Sequence, residues 1–449
     1  MSNCISDSKV KLRDYQILAV KQIMMNSLLV FHSAGTGKTL IMVTAGQCLS
    51  PVPVIIITTK GLKQQLDKTF DTYGVSEPDR KRYRVITKEE FLKIPSSEFK
   101  NKVMMVDEAH FLKGSITNES TDLLPTGKAA LHLIDCGSVT NRNLILTATP
   151  TSNSESDILT LLTVIRQESK FPMTAATFTR LARTDPKALI PLFQCRVSYY
   201  QVDPSGGNFP QKTVTRLNIP MNNDMYRAYR DMELKIDVDD AFYTRKREDA
   251  NMLTIPSVHP KFKTALDIVQ KLGKQTVIYH EYLDKSLVPM KQLLDQNKIK
   301  NQKITGEETP AARTSALNNF NDGKIPVLLL SSAGSTGVDV KNGQILIVFD
   351  APWNPSKLTQ IEDRIYRQGG LSHLPEAERK VTIYELELTK PDLLSRDYDD
   401  QVDSVDTILY ETIASKRQNL DAFTRNVLIP ASIEANPECY LQPAKRQKV

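Results

Sequence analysis

Short apolar runs alternate with stretches of helical periodicity along most of the chain. The runs at 28–31, 103–106 and 144–146 are each followed by small or acidic residues, and similar runs recur at 275–280, 325–330 and 345–350. Continuous apolar runs are typical of strands buried on both faces of a parallel sheet. The pattern therefore predicts an α/β fold of parallel sheets flanked by helices.

A glycine-rich turn, residues 33–39, follows the first of these strands. Gly35 and Gly37 let the backbone turn sharply with its amides pointing inward, and these amides, together with a helix N-terminus and the neighbouring Ala34 and Thr36, suit phosphate. Lys38 can reach the β- and γ-phosphates, and Thr39 can ligate Mg²⁺. The strict pattern has glycine where this chain has His32. The alternative is a glycine-rich loop without a ligand.

An acidic pair ends the strand at 103–106. Asp107 would hold Mg²⁺ and Glu108 would activate the attacking water, at the sheet edge where open α/β folds bind ligands. His110 either links this site to the next motif or is an ordinary histidine. No His-Glu-x-x-His spacing predicts a zinc site.

Two hydroxyls follow the strand at 143–146. Thr147 and Thr149, separated by Ala148, can sense the γ-phosphate through hydrogen bonds. Their position 40 residues after the acidic pair (147 − 107) strengthens an otherwise weak motif.

Gln360, Arg364 and Arg367 are spaced by four and three residues, which predicts one helical face. Two guanidinium groups on one face suit a developing phosphate charge. The alternative is a solvated charged face. Upstream, a turn of small residues at 331–339 suits close approach by a nucleotide or a sugar-phosphate backbone, and Trp353 is either a core anchor or a residue beside a nucleic-acid path.

Composition adds limits. The chain has 449 residues, a net charge of +6 and five cysteines without metal spacing. Length predicts about three domains, and mild basicity permits binding to phosphates. The cysteine pattern predicts reduced thiols in a reducing, intracellular compartment. No membrane-spanning stretch or signal peptide is predicted.

The order of these motifs resembles helicase superfamily 2, whose members have two RecA-like lobes. Residues 12–16 resemble its adenine-sensing element, and residues 58–60 resemble its first backbone-contacting motif. Residues 353–355 before Gln360, residues 209–214 and a predicted helix at 405–427 resemble the Swi/Snf-like branch. RNA helicases named for their Asp-Glu-Ala-His box, which 107–110 matches, carry Gly-Arg where this chain has Asp363-Arg364.

Within that branch, residues 27–39, 371–379 and 402–408 are similar to the nucleoside triphosphatase I family of poxviruses and other large DNA viruses. These relatives are DNA-dependent ATPases of viral transcription. The resemblance implies ATP and Mg²⁺ as cofactors and DNA as a partner contacted through its backbone. It also implies RNA polymerase as a possible partner, and location in the virion and the cytoplasmic factory or host nucleus.

The resemblance also assigns roles to residues. The nucleotide site would include Arg13, Gln16, residues 34–39, Gly337 and Asp339. The catalytic residues would be Lys38, Glu108, Gln360, Arg364 and Arg367, and the residues that couple the site to movement would be His110, Thr147 and Thr149. The residues in contact with nucleic acid would be Thr59, Lys60, His280, Thr305, Ser332 and Trp353.

Five segments are expected: a first lobe at 1–220 with a helical part at 151–205, a charged helical linker at 221–257, a second lobe at 258–400, a brace helix at 401–430 and a disordered basic tail at 431–449. The sequence predicts an ATP-dependent DNA translocase. Its rivals are a strand-separating DNA or RNA helicase and a nucleotide-gated factor that clamps onto a polymerase.

Overall fold

The computed structural model describes residues 4–6, 8–33, 35–109, 125–151, 153–202, 209–233, 247–252, 259–334, 338–391 and 403–440. The chain divides into two units. The first comprises Met1–Val202 and Lys416–Val449, and the second comprises Asp203–Ser415.

The first unit is built on a six-stranded parallel sheet in the order β3-β2-β4-β5-β1-β6. Its strands are β1 (Leu28–His32), β2 (Val54–Thr58), β3 (Tyr83–Thr87), β4 (Val103–Asp107), β5 (Arg142–Thr147) and β6 (Val197–Tyr200). Its helices before residue 202 are α1 (Asp14–Met25), α2 (Lys38–Cys48), α3 (Lys60–Tyr73), α4 (Glu77–Arg80), α5 (Lys88–Phe91), α6 (Pro125–Val139), α7 (Leu159–Arg166), α8 (Ala175–Thr184) and α9 (Ile190–Phe193).

Both faces of this sheet are covered, which explains its continuous apolar runs. In β1, Leu28 and Val30 pack on one side with the core of α1 and α2. Leu29 and Phe31 pack on the other with α6 and α7. Successive side chains of a strand point to opposite faces, so a sheet buried on both sides needs apolar residues at every position.

The second unit has its own six-stranded parallel sheet, in the order β7-β12-β11-β8-β10-β9. Its strands are β7 (Gln211–Pro220), β8 (Thr276–His280), β9 (Asn301–Ile304), β10 (Val327–Ser331), β11 (Ile345–Val348) and β12 (Lys380–Thr389). Its helices are α10 (Asn223–Glu233), α11 (Pro260–Leu272), α12 (Val288–Gln296), α13 (Pro310–Asn321) and α14 (Pro355–Ile365). The predicted α/β class with two parallel, helix-flanked sheets is confirmed.

The predicted end of the first lobe at residue 220 is wrong. Strand β7 pairs along its whole length with β12, so it belongs to the second sheet. Alternation in a sequence shows that a strand is present, but it does not show which sheet supplies the partner.

The chain returns to the first unit through α15 (Val405–Phe423), followed by a π-turn at Thr424–Leu428 and by α16 (Ile429–Ala431). Phe423 lies within ring contact of Phe178 and Phe193 in the first core. The prediction of a disordered tail from residue 431 is wrong for 432–440, because Ser432 bridges Val197 of β6 and Cys439 is bonded to Cys195.

Four of the five cysteines are paired, as Cys4–Cys48 and Cys195–Cys439, and Cys136 is a buried free thiol. The expectation of reduced thiols is therefore wrong for this structure. Sequence spacing carried no signal, because the partners are 44 and 244 residues apart. Among the described residues, no helix is both long and apolar enough to cross a bilayer.

Candidate nucleotide-binding site

Three of the predicted motifs meet at one edge of the first sheet. Strand β5 lies between β1 and β4, with Thr147 in register with Phe31 and Leu146 in register with Asp107. All three strands are parallel, so their carboxyl ends share an edge. The glycine-rich loop, Thr147 and the acidic pair therefore lie side by side, although the sequence spreads them from residue 33 to residue 147.

The loop has the backbone that its glycines predict. Gly35 and Gly37 have φ values of 76° and 77°, in the left-handed region that favours glycine. A Cβ on Gly35 would meet no heavy atom within 4 Å, whereas one on Gly37 would lie 2.6 Å from Nε2 of Gln16. The loop therefore has free space beside Gly35, whereas the Gln16 side chain packs directly against Gly37.

Side chains of helix α1 hold the phosphate loop through hydrogen bonds. The Tyr15 hydroxyl and the Gln16 side-chain amide each donate to the carbonyl of Thr36, at 2.9 Å. The Gln16 side chain also accepts from the backbone amide of Arg13 at 2.8 Å. The segment predicted to sense adenine is therefore tied directly to the phosphate loop.

Lys38 lies in the first turn of α2 and points back across the loop. Its ammonium donates to the carbonyls of His32 and Ser33 at 3.0 and 3.1 Å. Thr39 follows it, half-buried. These positions at a helix N-terminus are those from which a lysine and a hydroxyl can act on phosphate and Mg²⁺.

The acidic pair lies at the end of β4. Burial and the neighbouring Glu108 carboxylate raise the pKa of Asp107 to about 7, against the opposing effect of the Lys38 ammonium. Glu108 has φ 52°, which turns the chain immediately after the strand. A nearby cation stabilises the ionised forms of two carboxylates that are held close together.

The residues present fit ATP and Mg²⁺. The open left-handed glycine, the lysine at the helix N-terminus and the crowded carboxylates are the groups that a magnesium–triphosphate needs, since Mg²⁺ is usually held by one or two carboxylates together with substrate phosphates. Thr39 and Asp107 would hold the ion, which would neutralise charge on the phosphates.

Thr147 is fully buried, and its hydroxyl accepts from the backbone amide of Thr149 at 3.0 Å. This contact orders the turn beside the acidic pair. Ala34, His110 and Gly337 lie outside the described residues, as does the side chain of Lys60.

His32, at the position where glycine was expected, belongs to a buried hydrogen-bond chain. Its Nε2 lies 2.8 Å from Oγ of Ser198, which donates to the Glu434 carboxylate at 2.5 Å. Burial and the Lys38 ammonium lower the pKa of His32 to about 3, so the ring is neutral and Nε2 donates to Ser198. Sequence reasoning missed Ser198 and Glu434, because no local motif marks them.

In the second unit, Arg367 pairs with Asp339, so the structure joins two predicted site residues. The expectation that Arg367 shares a helical face with Gln360 and Arg364 is wrong. Helix α14 ends at Ile365, and only Gln360 and Arg364 lie on it, both half-buried.

Two predicted nucleic-acid contacts are contradicted by burial. His280 is fully buried, and its ring lies 4.9 Å from that of Phe349. Thr305 is 1% exposed, and its hydroxyl donates to Glu308 at 2.7 Å. Neither side chain is presented to a backbone phosphate in this conformation.

The remaining candidates are placed differently. Ser332 lies in a turn that packs against the end of β9, where a Cβ on Gly334 would be 2.0 Å from the carbonyl oxygen of Ile304. Thr59 is half-buried at the start of α3. Trp353 is partly buried against the second core, which is the core-anchor alternative.

Comparisons with known proteins agree with this arrangement. Residues 9–152 match the family model of the type III restriction enzyme res subunit, and residues 260–369 match the helicase conserved C-terminal domain. A putative ATP-dependent RNA helicase of Acanthamoeba polyphaga mimivirus is 25% identical over 91% of this chain and 94% of its own length.

Two further likenesses are more limited. Nucleoside triphosphatase I of Heliothis armigera entomopoxvirus is 31% identical over 30% of this chain and 20% of its own length. The Sulfolobus solfataricus SWI2/SNF2 ATPase core in complex with dsDNA is 15% identical, covers 85% of this chain and 89% of its own, and has a TM-score of 0.38, which by itself does not show a shared fold.

The two family models occur in the order that the motifs predict, and each falls on one of the two parallel sheets. Together with the viral relatives, they show a helicase-like ATPase of helicase superfamily 2.

Proposed function

We propose that this protein is an ATP-dependent DNA translocase, which couples hydrolysis to movement along DNA during transcription. The observation that carries the proposal is the assembled edge of the first sheet, where Thr147, Asp107 and Glu108 lie at the ends of adjacent strands and Lys38 begins the helix after the neighbouring β1. These groups supply the positioning and charge neutralisation that phosphoryl transfer requires.

In this mechanism the loop amides and Lys38 hold the β- and γ-phosphates. Glu108 positions and activates the attacking water as general base. The resemblance assigns to Arg364 and Arg367 the stabilisation of charge that develops on the transferred phosphoryl group. Thr147 and Thr149 report the state of the γ-phosphate to the rest of the chain.

The choice of DNA rests on the resemblance to viral nucleoside triphosphatase I. The net charge of +6 permits binding to the phosphate backbone of DNA or RNA alike. The nucleic acid is contacted through its backbone, so movement is independent of sequence. Thr59, Lys60 and Ser332 supply contacts, and RNA polymerase is a partner in transcription.

One observation favours a second candidate. The relative that matches almost the whole chain is named as an RNA helicase. Steady-state ATPase rates without nucleic acid and with single-stranded DNA, duplex DNA or RNA separate the two. Stimulation by DNA alone supports the translocase, stimulation by RNA supports the RNA helicase, and no stimulation by any of them favours a polymerase-gated factor. A strand-displacement assay distinguishes unwinding from translocation alone.

Lys38→Ala tests the site itself. Removing the ammonium should abolish ATP turnover, because the Lys38 side chain reaches back across the loop from the start of α2 and is the cation that would meet the phosphates. Lys21→Ala, which removes an exposed lysine from α1, is the matched control and should keep the wild-type rate. Full activity in Lys38→Ala would rule out this ATP site.

A further inference from the structure

The end of the described chain lies along the edge of the first sheet. We define the C-terminal segment as residues 429–440. Its Ser432 forms a parallel bridge with Val197 of β6, and the backbone amide of Ile433 donates to the Val197 carbonyl at 2.8 Å. The disulfide between Cys195 and Cys439 fixes the segment at the other end.

A single carboxylate connects this segment to the phosphate loop. Glu434 accepts hydrogen bonds from the Ser198 hydroxyl at 2.5 Å and from the Tyr199 amide at 2.8 Å. Ser198 is in turn bonded to His32 at 2.8 Å, and both side chains are fully buried. The His32 carbonyl accepts from Lys38, so four hydrogen-bonded groups lead from the C-terminal segment to the phosphate-binding lysine.

Strand β6 touches the loop at two further points. The Tyr200 carbonyl accepts from the Ser33 amide at 3.0 Å, and the Ser33 hydroxyl accepts from the Val202 amide at 3.1 Å. The Tyr200 ring also stacks on Tyr15, at 3.6 Å between centroids, and Tyr15 holds the Thr36 carbonyl. A shift of β6 would therefore move the start of the loop at Ser33 and its middle at Thr36.

We propose that the C-terminal segment positions the phosphate loop for nucleotide binding, with Glu434 and Ser198 as positioning residues and the Cys195–Cys439 disulfide as the tether. The inference rests on the proposed ATP site. The segment comes from the far end of the chain, so nucleotide affinity depends on a part of the protein that carries none of the helicase motifs. The physical reason is preorganisation, since a loop held in its binding conformation loses less freedom when the ligand arrives.

Glu434→Gln keeps the shape of the side chain but removes its charge, and Ser198→Ala breaks the link to His32. Both should raise the KM for ATP and the Kd for a fluorescent ATP analogue by about five- to tenfold, the effect of one hydrogen bond of ordinary strength. The kcat at saturating ATP should change less than about twofold, because no group at the reacting phosphate is lost. Glu438→Gln, an exposed glutamate of the same segment, is the matched control.

Reduction of the Cys195–Cys439 disulfide in the wild type is a second test of the proposal. It does not depend on whether Glu434→Gln or Ser198→Ala folds. Dithiothreitol gives two electrons and two protons to the Cys195–Cys439 bond, which leaves two thiols. Reduction should raise the KM for ATP in the wild type and have no effect on a Cys195→Ser/Cys439→Ser variant, whose KM is already raised. Cys4→Ser, which removes the other disulfide, should keep the wild-type response to dithiothreitol.

A wild-type KM in Glu434→Gln and Ser198→Ala would overturn the inference. So would a KM unchanged by complete reduction, as measured by thiol titration. A KM raised in these variants together with a matching fall in kcat would indicate general destabilisation and would also overturn it. The Lys38→Ala variant separates the two levels: activity in Lys38→Ala refutes the ATP site itself, whereas an inactive Lys38→Ala beside an unaffected Glu434→Gln refutes only the positioning role.

Discussion

At the scale of single residues, Arg367 has a partner in the second unit before any nucleotide is considered. Its guanidinium pairs with the half-exposed Asp339 carboxylate, and it lies beyond the end of α14. A pair with so much exposure contributes little to stability, which leaves the arginine available for another anion. We therefore infer that another anion can replace the Asp339 carboxylate as the partner of Arg367.

Arg367→Ala should leave ATP binding nearly intact and slow hydrolysis by about 10³-fold or more, as for other arginines that stabilise phosphoryl transfer. Single-turnover hydrolysis and binding of a fluorescent ATP analogue measure the two effects. Arg227→Ala, which removes an exposed arginine from α10 in the same unit, is the control. Unchanged hydrolysis in Arg367→Ala would refute the assignment.

His280 illustrates a different consequence of burial. Burial lowers its pKa to about 4, and the Asp350 carboxylate and the Lys261 ammonium act in opposite directions on it. The unfolded imidazole titrates near 6.5. Between these two values the unfolded state binds more protons than the folded state, so the free energy of unfolding falls as the pH is lowered.

His280→Leu removes this proton linkage. The melting temperature of the variant minus that of the wild type should increase as the pH falls from about 7 to about 5. The reason is that only the wild type has to keep a neutral histidine buried. Thermal unfolding at both pH values measures the difference, with the exposed His373→Leu as control. Nucleic acid should still stimulate the ATPase activity of His280→Leu. Loss of that stimulation would show that His280 does contact nucleic acid.

At the scale of elements, the first turn of α15 is held by a buried cluster of charges. The Asp406 carboxylate accepts from Arg247 at 3.2 Å, from Lys261 at 3.0 Å and from the Leu388 amide at 3.1 Å. Burial opposes its ionisation, but Lys261 and Arg247 outweigh that effect and hold the pKa of Asp406 below its usual range. Arg247, which lies in the predicted charged linker, is 2% exposed.

Asp406→Asn removes the carboxylate shared by Arg247 and Lys261 and leaves Lys261 only Asp350, at 3.6 Å. The substitution should destabilise the second unit by about 3–5 kcal/mol. In the wild type, the contribution of this carboxylate is present above the ordinary pKa of aspartate and is lost as the pH falls below it, since the folded pKa is the lower one. Chemical denaturation monitored at neutral and acid pH measures both. Asp403→Asn, an exposed aspartate three positions earlier, should have little effect.

At the scale of the whole molecule, the proposed function requires a chain of modest positive charge to bind a polyanion. The net charge is +6 over 449 residues. Backbone contacts release condensed counterions, so affinity for DNA should fall steeply as salt is raised from about 50 to about 200 mM. The DNA concentration for half-maximal ATPase stimulation should rise accordingly and should not change when the base sequence is scrambled. A salt-independent value would contradict backbone binding; the ATPase rate without DNA is the internal control.

The sequence determined the local chemistry of this protein. Apolar runs identified the buried strands, and the glycines, Lys38 and the acidic pair predicted a candidate nucleotide site, because a phosphate loop and its strand are contiguous in the chain. The order of motifs identified the family. Each of these features is fixed by residues only a few positions apart.

Only the tertiary structure decided which segments meet. It assigned β7 to the second sheet, paired four cysteines, buried His280 and Thr305, and brought Glu434 to Ser198 across 236 positions. Strand pairing, disulfides and buried polar contacts join residues distant in sequence, and local patterns carry no record of the partner. The physical reason is that such contacts are selected by packing of the whole fold rather than by the propensity of any one segment.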